Sequence, residues 1–561
     1  MTRVDTRGTG ALKWAAMKLL LVPVVAASLL LGGCVGYSEA KIKKDTVSLA
    51  TTAEQRQLAA AQEKSAKDPL AQLGGYLDAA DEARRKLARD PKNTLLQSDY
   101  NFAVARVMDV LYENKLEPWD KTVVAPSATG TPWRLTLTPP SKEKHFHPSL
   151  FEFRPSDRYD FRGKGVGERS LKEGLGAPLV VAGREVDYTK LDKFAQGKHV
   201  YYSFTALVNF RGRNADIALV DPLSRENVIF DGRTYPLAGD FQGPLALALD
   251  ELDLEKRELL GLFKPQKFAG RARLARLQPY DPRKIPVICI HGLGNSPATW
   301  APVVEYLRGD PVIRENYQIW FYAYPSGLPY PLAASYLRKQ LDEARKRYPG
   351  MRDAVVIGHS MGGMISRALI TDSRDELWNL YFDRPPGQLT ISDKARDMLG
   401  GMLLFKPVPH IGRVIFVSAS HRGSDDAIGF WGRVGAAIVG NPVADKGAYA
   451  EVVAQARPEA RSHSRKRFPN SIDLLDPDSL FLEKINSLPT APGVPYHSLI
   501  GDRGKGGYLD KTEPQSSDGI VPYWSSHMDG ARSERVVPSG HWSHLHPLGM
   551  AEIKRILVEH L

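Results

Sequence analysis

Apolar residues in the first third of the chain recur at three- and four-residue spacing. Leu73, Leu77, Ala80, Ala83 and Leu87 form one stripe, and Leu96, Tyr100, Ala103, Val104, Val107 and Leu111 form a second. This period predicts two amphipathic helices. Asp68 before Pro69 supplies a capping carboxylate and a proline at the first helical position, and Pro91 ends the run. Between Trp133 and Phe241 the pattern becomes short alternating or apolar runs, at Trp133 to Thr138, Leu179 to Ala182, Val200 to Phe210 and Ile217 to Val220, which predict strands. A charged helix around Leu252 to Leu262 and a linker from Lys264 to Arg283 follow. From Pro286 onward the order is apolar strand, loop, helix, repeated. The strand candidates are Pro286 to Ile290, Ile319 to Tyr324, Ala354 to Ile357, Arg413 to Ser418 and Tyr496 to Ile500. Uninterrupted apolar strands alternating with helices predict an α/β unit, a mostly parallel sheet covered on both faces.

The N-terminus has its own pattern. A basic start leads to an apolar run from Leu19 to Leu31, then Gly32 and Gly33 directly before Cys34. The run is shorter than the ~20 residues a membrane-crossing helix needs, so it reads as a secretory signal. Leu31-Gly32-Gly33-Cys34 resembles the bacterial lipobox, which implies cleavage before Cys34 and acylation of its sulfur. Val35 is not the Asp that marks inner-membrane retention in similar lipoproteins, so the expected place is the outer membrane, facing the periplasm. Met17-Lys18, directly before the run, would by themselves make a compact signal start, which makes Met17 an alternative initiator to Met1. The expected organisation is a signal at 1–33, a polar tether at 34–67 and a helical region at 68–120. A β-rich accessory domain at 130–263 and the α/β unit at 284–561 complete it. The pair of helices resembles one hairpin of the tetratricopeptide type, and a single repeat cannot bury its own stripe, so it is expected to pack on its neighbour.

Composition changes this picture little. The chain has 561 residues, 43% of them hydrophobic, and a net charge of +11. That charge permits attraction to anionic lipid or polysaccharide, but no compact basic run interleaved with aromatics points to nucleic acid. Only two cysteines occur. With Cys34 lipidated, Cys289 has no partner for an intrachain disulfide, and its place in Val287-Ile288-Cys289-Ile290 makes it a small buried hydrophobe.

The chemistry-bearing segment is Asp353-Ala354-Val355-Val356-Ile357-Gly358-His359-Ser360-Met361-Gly362-Gly363. It is a buried strand running through G-x-S-x-G into a helix, the nucleophile elbow. Ser360 in so tight a turn needs a strained backbone, and Gly358 and Gly362 remove the Cβ atoms that would collide there. About 70 residues earlier, at the end of another strand, stands His291-Gly292-Leu293-Gly294. Such a loop lets backbone approach a reacting carbonyl. The expected oxyanion donors are the N–H groups of Met361, after the nucleophile, and of Leu293.

These segments, with Tyr324-Pro325-Ser326-Gly327, His421-Arg422-Gly423-Ser424 and Ser517-Asp518-Gly519-Ile520-Val521-Pro522, make residues 286–561 similar to the bacterial lipases and carboxylesterases of the α/β-hydrolase fold, with features of the GPI inositol deacylase-like lipases. The likeness implies a catalytic acid after the nucleophile and before a histidine. Asp518 fits best, with Asp502 and Asp529 as rivals. The base lies in His541-Trp542-Ser543-His544-Leu545-His546-Pro547. His541 is the first imidazole beyond the strand at Arg535 to Val537. His544 is its rival, and His546 stands next to Pro547 as a helix cap. Three histidines could also suggest zinc, but no local carboxylate or Cys joins them, so no metal or other cofactor is expected. Residues 425–489 interrupt the alternation. Their apolar stretch Ile428 to Val439 reads either as a buried helix or as a cap over the serine. The expectation is a serine carboxylic ester hydrolase acting on an apolar acyl ester, a small molecule or an envelope lipid, and held to the membrane by its N-terminal lipid. A thioesterase, amidase or peptidase with the same triad, or a non-catalytic envelope lipoprotein, are the alternatives.

Overall fold

A computed structural model describes residues 38–64, 67–141, 146–163, 170–184, 186–197, 199–251, 270, 272–425, 446–462, 469–504 and 516–561. The signal segment, Cys34, Val35, the expected helix at Leu252 to Leu262 and the stretch Ile428 to Val439 lie outside the described residues.

The two amphipathic helices span Pro69–Leu87 and Thr94–Glu113, capped by Asp68 and Asn93. They lie on a six-stranded mixed sheet ordered Val123–Ala125, Trp133–Thr138, Asn214–Val220, Tyr201–Arg211, Ala177–Gly183, Phe151–Pro155. Helical Leu77, Tyr100 and Val107 and strand residues Leu135, Val181 and Ile217 belong to one hydrophobic cluster. Helices and sheet therefore share one core, in line with the expectation that the helical pair packs on its neighbour.

Residues 38–64 fall within the span read as a polar tether, and here the structure differs. Glu39–Ile42 pairs antiparallel with Tyr159–Arg162, and Ala53–Glu63 is a helix. The buried Arg158 guanidinium donates to the carbonyls of Lys43 (3.2 Å) and Lys44 (3.0 Å) and to Thr46 Oγ1 (3.1 Å). Backbone pairing on a sheet edge needs no apolar side chains, so a polar sequence conceals it.

The C-terminal half is built on a seven-stranded sheet, whose strands we number by themselves: β1 Arg273–Arg276, β2 Ile285–Ile290, β3 Tyr317–Ala323, β4 Ala354–His359, β5 Ile411–Val417, β6 Tyr496–Gly501 and β7 Ser533–Val537. Their order is β1-β3-β2-β4-β5-β6-β7, parallel throughout except for β1. The short edge strand β1 lies in what the sequence offers as a linker; two arginines in four residues hide it. In β2, Ile288 and Ile290 join the core on one face while Val287 and Cys289 join the core on the other. Alternate burial on two faces is why these strands read as continuous apolar runs. The chain leaves β2 toward β3 and returns to β4 on β2's other side. This switch point opens a crevice at the carboxyl ends of the strands.

Residues 418–495, between β5 and β6, carry the insertion. Its described helices are Lys446–Gln455, Pro458–Ser462 and Leu480–Ser487. The closing helix, Pro547–His560, buries Ile553, Ile556 and Leu557 against the sheet.

Candidate active site

The loops after β2, β4, β6 and β7 converge at the carboxyl edge of the sheet. Ser360 leaves β4 with φ +56° and ψ −124°, a region costly for any residue with a Cβ. The turn is held from outside, because the Ser360 N–H donates to the Val417 carbonyl of neighbouring β5 (2.8 Å). A Cβ on Gly358 would lie 2.4 Å from the Gly362 carbonyl oxygen, and one on Gly362 would lie 2.4 Å from that of Ile290. Glycine at both positions lets the helix Met361–Leu369 start flush against β2 and β4. Ser360 is 8% exposed, and among the described residues its Oγ makes no hydrogen bond.

The loop after β2 reaches the serine through Gly292, whose missing Cβ would stand 2.9 Å from Ser360 Cβ. Leu293 follows, and Met361 opens the helix, where the first N–H groups have no intrahelical acceptor. Tyr324 and Ser326, which the sequence offered only as family likeness, brace this loop. Tyr324 Oη donates to the His291 carbonyl (2.8 Å) and its ring stacks on His291, while Ser326 Oγ accepts from Gly294 N–H (3.0 Å).

Asp518 is fully buried. Its Oδ1 accepts from the N–H groups of Ile520 (2.8 Å) and Val521 (2.7 Å), and its Oδ2 meets His541 Nδ1 at 2.8 Å. A carboxylate so placed only accepts, so His541 carries its proton on Nδ1 and leaves Nε2 free to take one. The rival acids are engaged elsewhere: Asp502 accepts from Ser516 Oγ (3.0 Å), and Asp529 is exposed beside His527. The His421-Arg422-Gly423-Ser424 loop ties β5 to the acid loop. Arg422 donates to the carbonyls of Trp524 (2.8 Å) and His527 (2.6 Å), and Ser424 Oγ donates to that of Ile520.

The three C-terminal histidines separate cleanly. His546 accepts from Leu548 N–H as the cap of the closing helix. His544 is fully buried, its Nε2 3.2 Å from Thr299 Oγ1 and its ring packed on Trp300, and burial first, then His541, hold it down at about 3. His541 alone of the three faces a buried carboxylate. Sequence reasoning missed His359, the unconstrained second position of the elbow, whose Nε2 lies 2.9 Å from the His541 carbonyl oxygen.

Burial keeps His291, His359, His421, His497 and His544 neutral. His291 and His497 are lowered to about 4, the latter by Arg413 as well; His544 is lowered to about 3; and His359 and His421 lie well below the usual imidazole range. Each binds a proton on unfolding below pH ~6.5, so the unfolded chain is the form that gains protons in acid. Stability should be complete above that pH and fall as the pH drops toward 4. The urea midpoint measured between pH 7.5 and 4.5 checks this, and a flat profile would contradict it.

Residues 287–553 match a family model described as the alpha/beta hydrolase family. Among solved structures, the mature lipase of Bacillus licheniformis is similar, with 16% identity and a TM-score of 0.30 over 50% of this chain and 93% of that one. The monoacylglycerol lipase of Paleococcus ferrophilus has 13% identity and a TM-score of 0.29 over 51% of this chain and 97% of its own. An esterase from Exiguobacterium antarcticum has 12% identity and a TM-score of 0.28 over 51% and 94%. No curated protein matches the chain.

Proposed function

Residues 287–553 are an α/β-hydrolase domain, and from that premise we propose that the protein is a serine ester hydrolase. The observation that carries the reading is the buried Asp518–His541 hydrogen bond at the same sheet edge as Ser360 in its positive-φ turn. Ser360 Oγ attacks the ester carbonyl as His541 Nε2 takes its proton. Asp518 fixes the tautomer and stabilises the imidazolium, and the N–H groups of Leu293 and Met361 receive the oxyanion. His541 then returns the proton to the leaving alcohol. Water, deprotonated by the same ring, frees the acid from the acyl-enzyme. A fluorophosphonate should label the wild-type protein at Ser360, and absence of label would favour a binding lipoprotein. Esters, thioesters and amides compared as substrates then assign the leaving group, with ester turnover expected to dominate.

The substrate class we propose is a carboxylic ester with an apolar acyl chain, a small molecule or a lipid of the envelope. The insertion at 425–489 is proposed as a cap that supplies an apolar wall. Location is part of the same reading: Cys34 acylated, in the outer membrane, facing the periplasm. The strand at Glu39–Ile42 begins five residues beyond Cys34, so an acylated Cys34 would hold the folded body within roughly 18 Å of the bilayer at full extension. A Cys34→Ala chain should take up no labelled fatty acid and move to the soluble fraction. A wild-type protein found soluble and unlabelled would remove the anchor while leaving the hydrolase reading intact.

A further inference from the structure

His359 lies between the glycine and the serine of the elbow, fully buried. Its ring occupies the middle of a column running Trp300, His544, His359, His541, Trp542, with successive centroids 4.7, 4.4, 4.8 and 5.8 Å apart. Its Nε2 lies 2.9 Å from the His541 carbonyl oxygen, and among the described residues its Nδ1 has no partner. A carbonyl only accepts, so the proton of the neutral ring sits on Nε2 and Nδ1 is a bare buried acceptor. An unpaired buried polar atom is costly, and an apolar side chain would fill the same space without that cost. What an apolar side chain could not supply is the one donor aimed at the loop of the base.

We propose that His359 is a positioning residue: its Nε2–H grips the His541 carbonyl and so fixes the loop that aims the base at Ser360. The proposal rests on the Ser360–His541–Asp518 reading above. It joins the nucleophile strand to a loop 182 residues later in the chain, so that nucleophile and base move as one unit. The ring must do this without charge, because a second cation 4.8 Å from the His541 ring would oppose the imidazolium that forms there during reaction. Burial first, and then His544 and His541, keep His359 well below the usual imidazole range, in accord with that need. His544 and then Trp300 continue the column on the far side of the ring.

Glutamine and methionine have nearly the same length and shape, and only glutamine carries a donor near the place of Nε2. His359→Gln should keep kcat within about tenfold of wild type. His359→Met should lose about 100-fold, the scale of a misplaced reacting group, with KM unchanged in both. Thermal unfolding of each variant shows that it is folded, and His359→Leu replaces the methionine variant if that one is not. Equal kcat in the glutamine and donorless variants would overturn the proposal, as would a loss confined to KM. His541→Ala measured alongside keeps the two readings apart. If it is active, the triad reading itself falls; if it is dead while His359→Met turns over at the wild-type rate, only the positioning role falls.

Discussion

A Ser360→Ala protein should fold as the wild type does and lose about 10⁴-fold to 10⁶-fold in ester turnover, with fluorophosphonate labelling abolished. The Ser360 Oγ makes no hydrogen bond among the described residues, so its removal leaves no buried partner unsatisfied. The Cβ stays, and with it the cost of φ +56°. Stability should therefore change by no more than about 0.5 kcal/mol. Ser360→Gly separates the two contributions. It is equally inactive but releases the backbone strain, and its unfolding free energy should exceed the wild-type value by about 1–3 kcal/mol. Nucleophile elbows hold a serine where a glycine would be more comfortable, so stability and turnover trade against each other at a single side chain. Full turnover by purified Ser360→Ala would end the mechanism.

How much of this was legible beforehand depended on whether the signal was local. The strands Ile285–Ile290 and Ala354–His359 announce themselves because both faces are buried, so each carries an apolar run, from Ile285 to Ile290 and from Ala354 to Ile357. The elbow is legible for a similar reason: its glycines are demanded by carbonyl oxygens that would stand 2.4 Å from any Cβ placed there. Asp518 could be named from its loop and the family likeness, with Asp502 and Asp529 sharing its place in chain order, and the geometry adds the three contacts that its carboxylate makes. What stayed hidden is pairing between distant segments. The edge strands Glu39–Ile42 and Arg273–Arg276 are held by backbone hydrogen bonds and arginine anchors, which leave no apolar pattern to read. His359 belongs to the same class. The motif leaves its position unspecified, and its meaning appears only when the His541 carbonyl arrives beside it. The work of Tyr324, Ser326 and Arg422 in bracing the site loops was visible in the sequence as likeness alone, without its reason.

The choice between His541 and His544 as base yields the second large effect. His541→Ala should cost about 10⁴-fold to 10⁶-fold in turnover, because the proton of Ser360 then has no acceptor beside it. The carboxylate of Asp518 would lose its third partner but keep the N–H groups of Ile520 and Val521, so the loop should hold its shape. His544→Ala should behave in the opposite way. Its ring fills the space between Trp300 and His359, and its Nε2 is engaged by Thr299, so the variant leaves a cavity and an unpaired hydroxyl. A stability loss of about 2–4 kcal/mol follows from such a cavity, with turnover within roughly tenfold of wild type because the base stays in place. A ring held down at about 3 by burial is also a poor proton acceptor at neutral pH. The two variants thus separate chemistry from packing: one stable and dead, the other weakened and active. A folded His544→Ala that is dead, beside a His541→Ala that still turns over, would move the base to His544 and leave the Asp518 contact without a catalytic role.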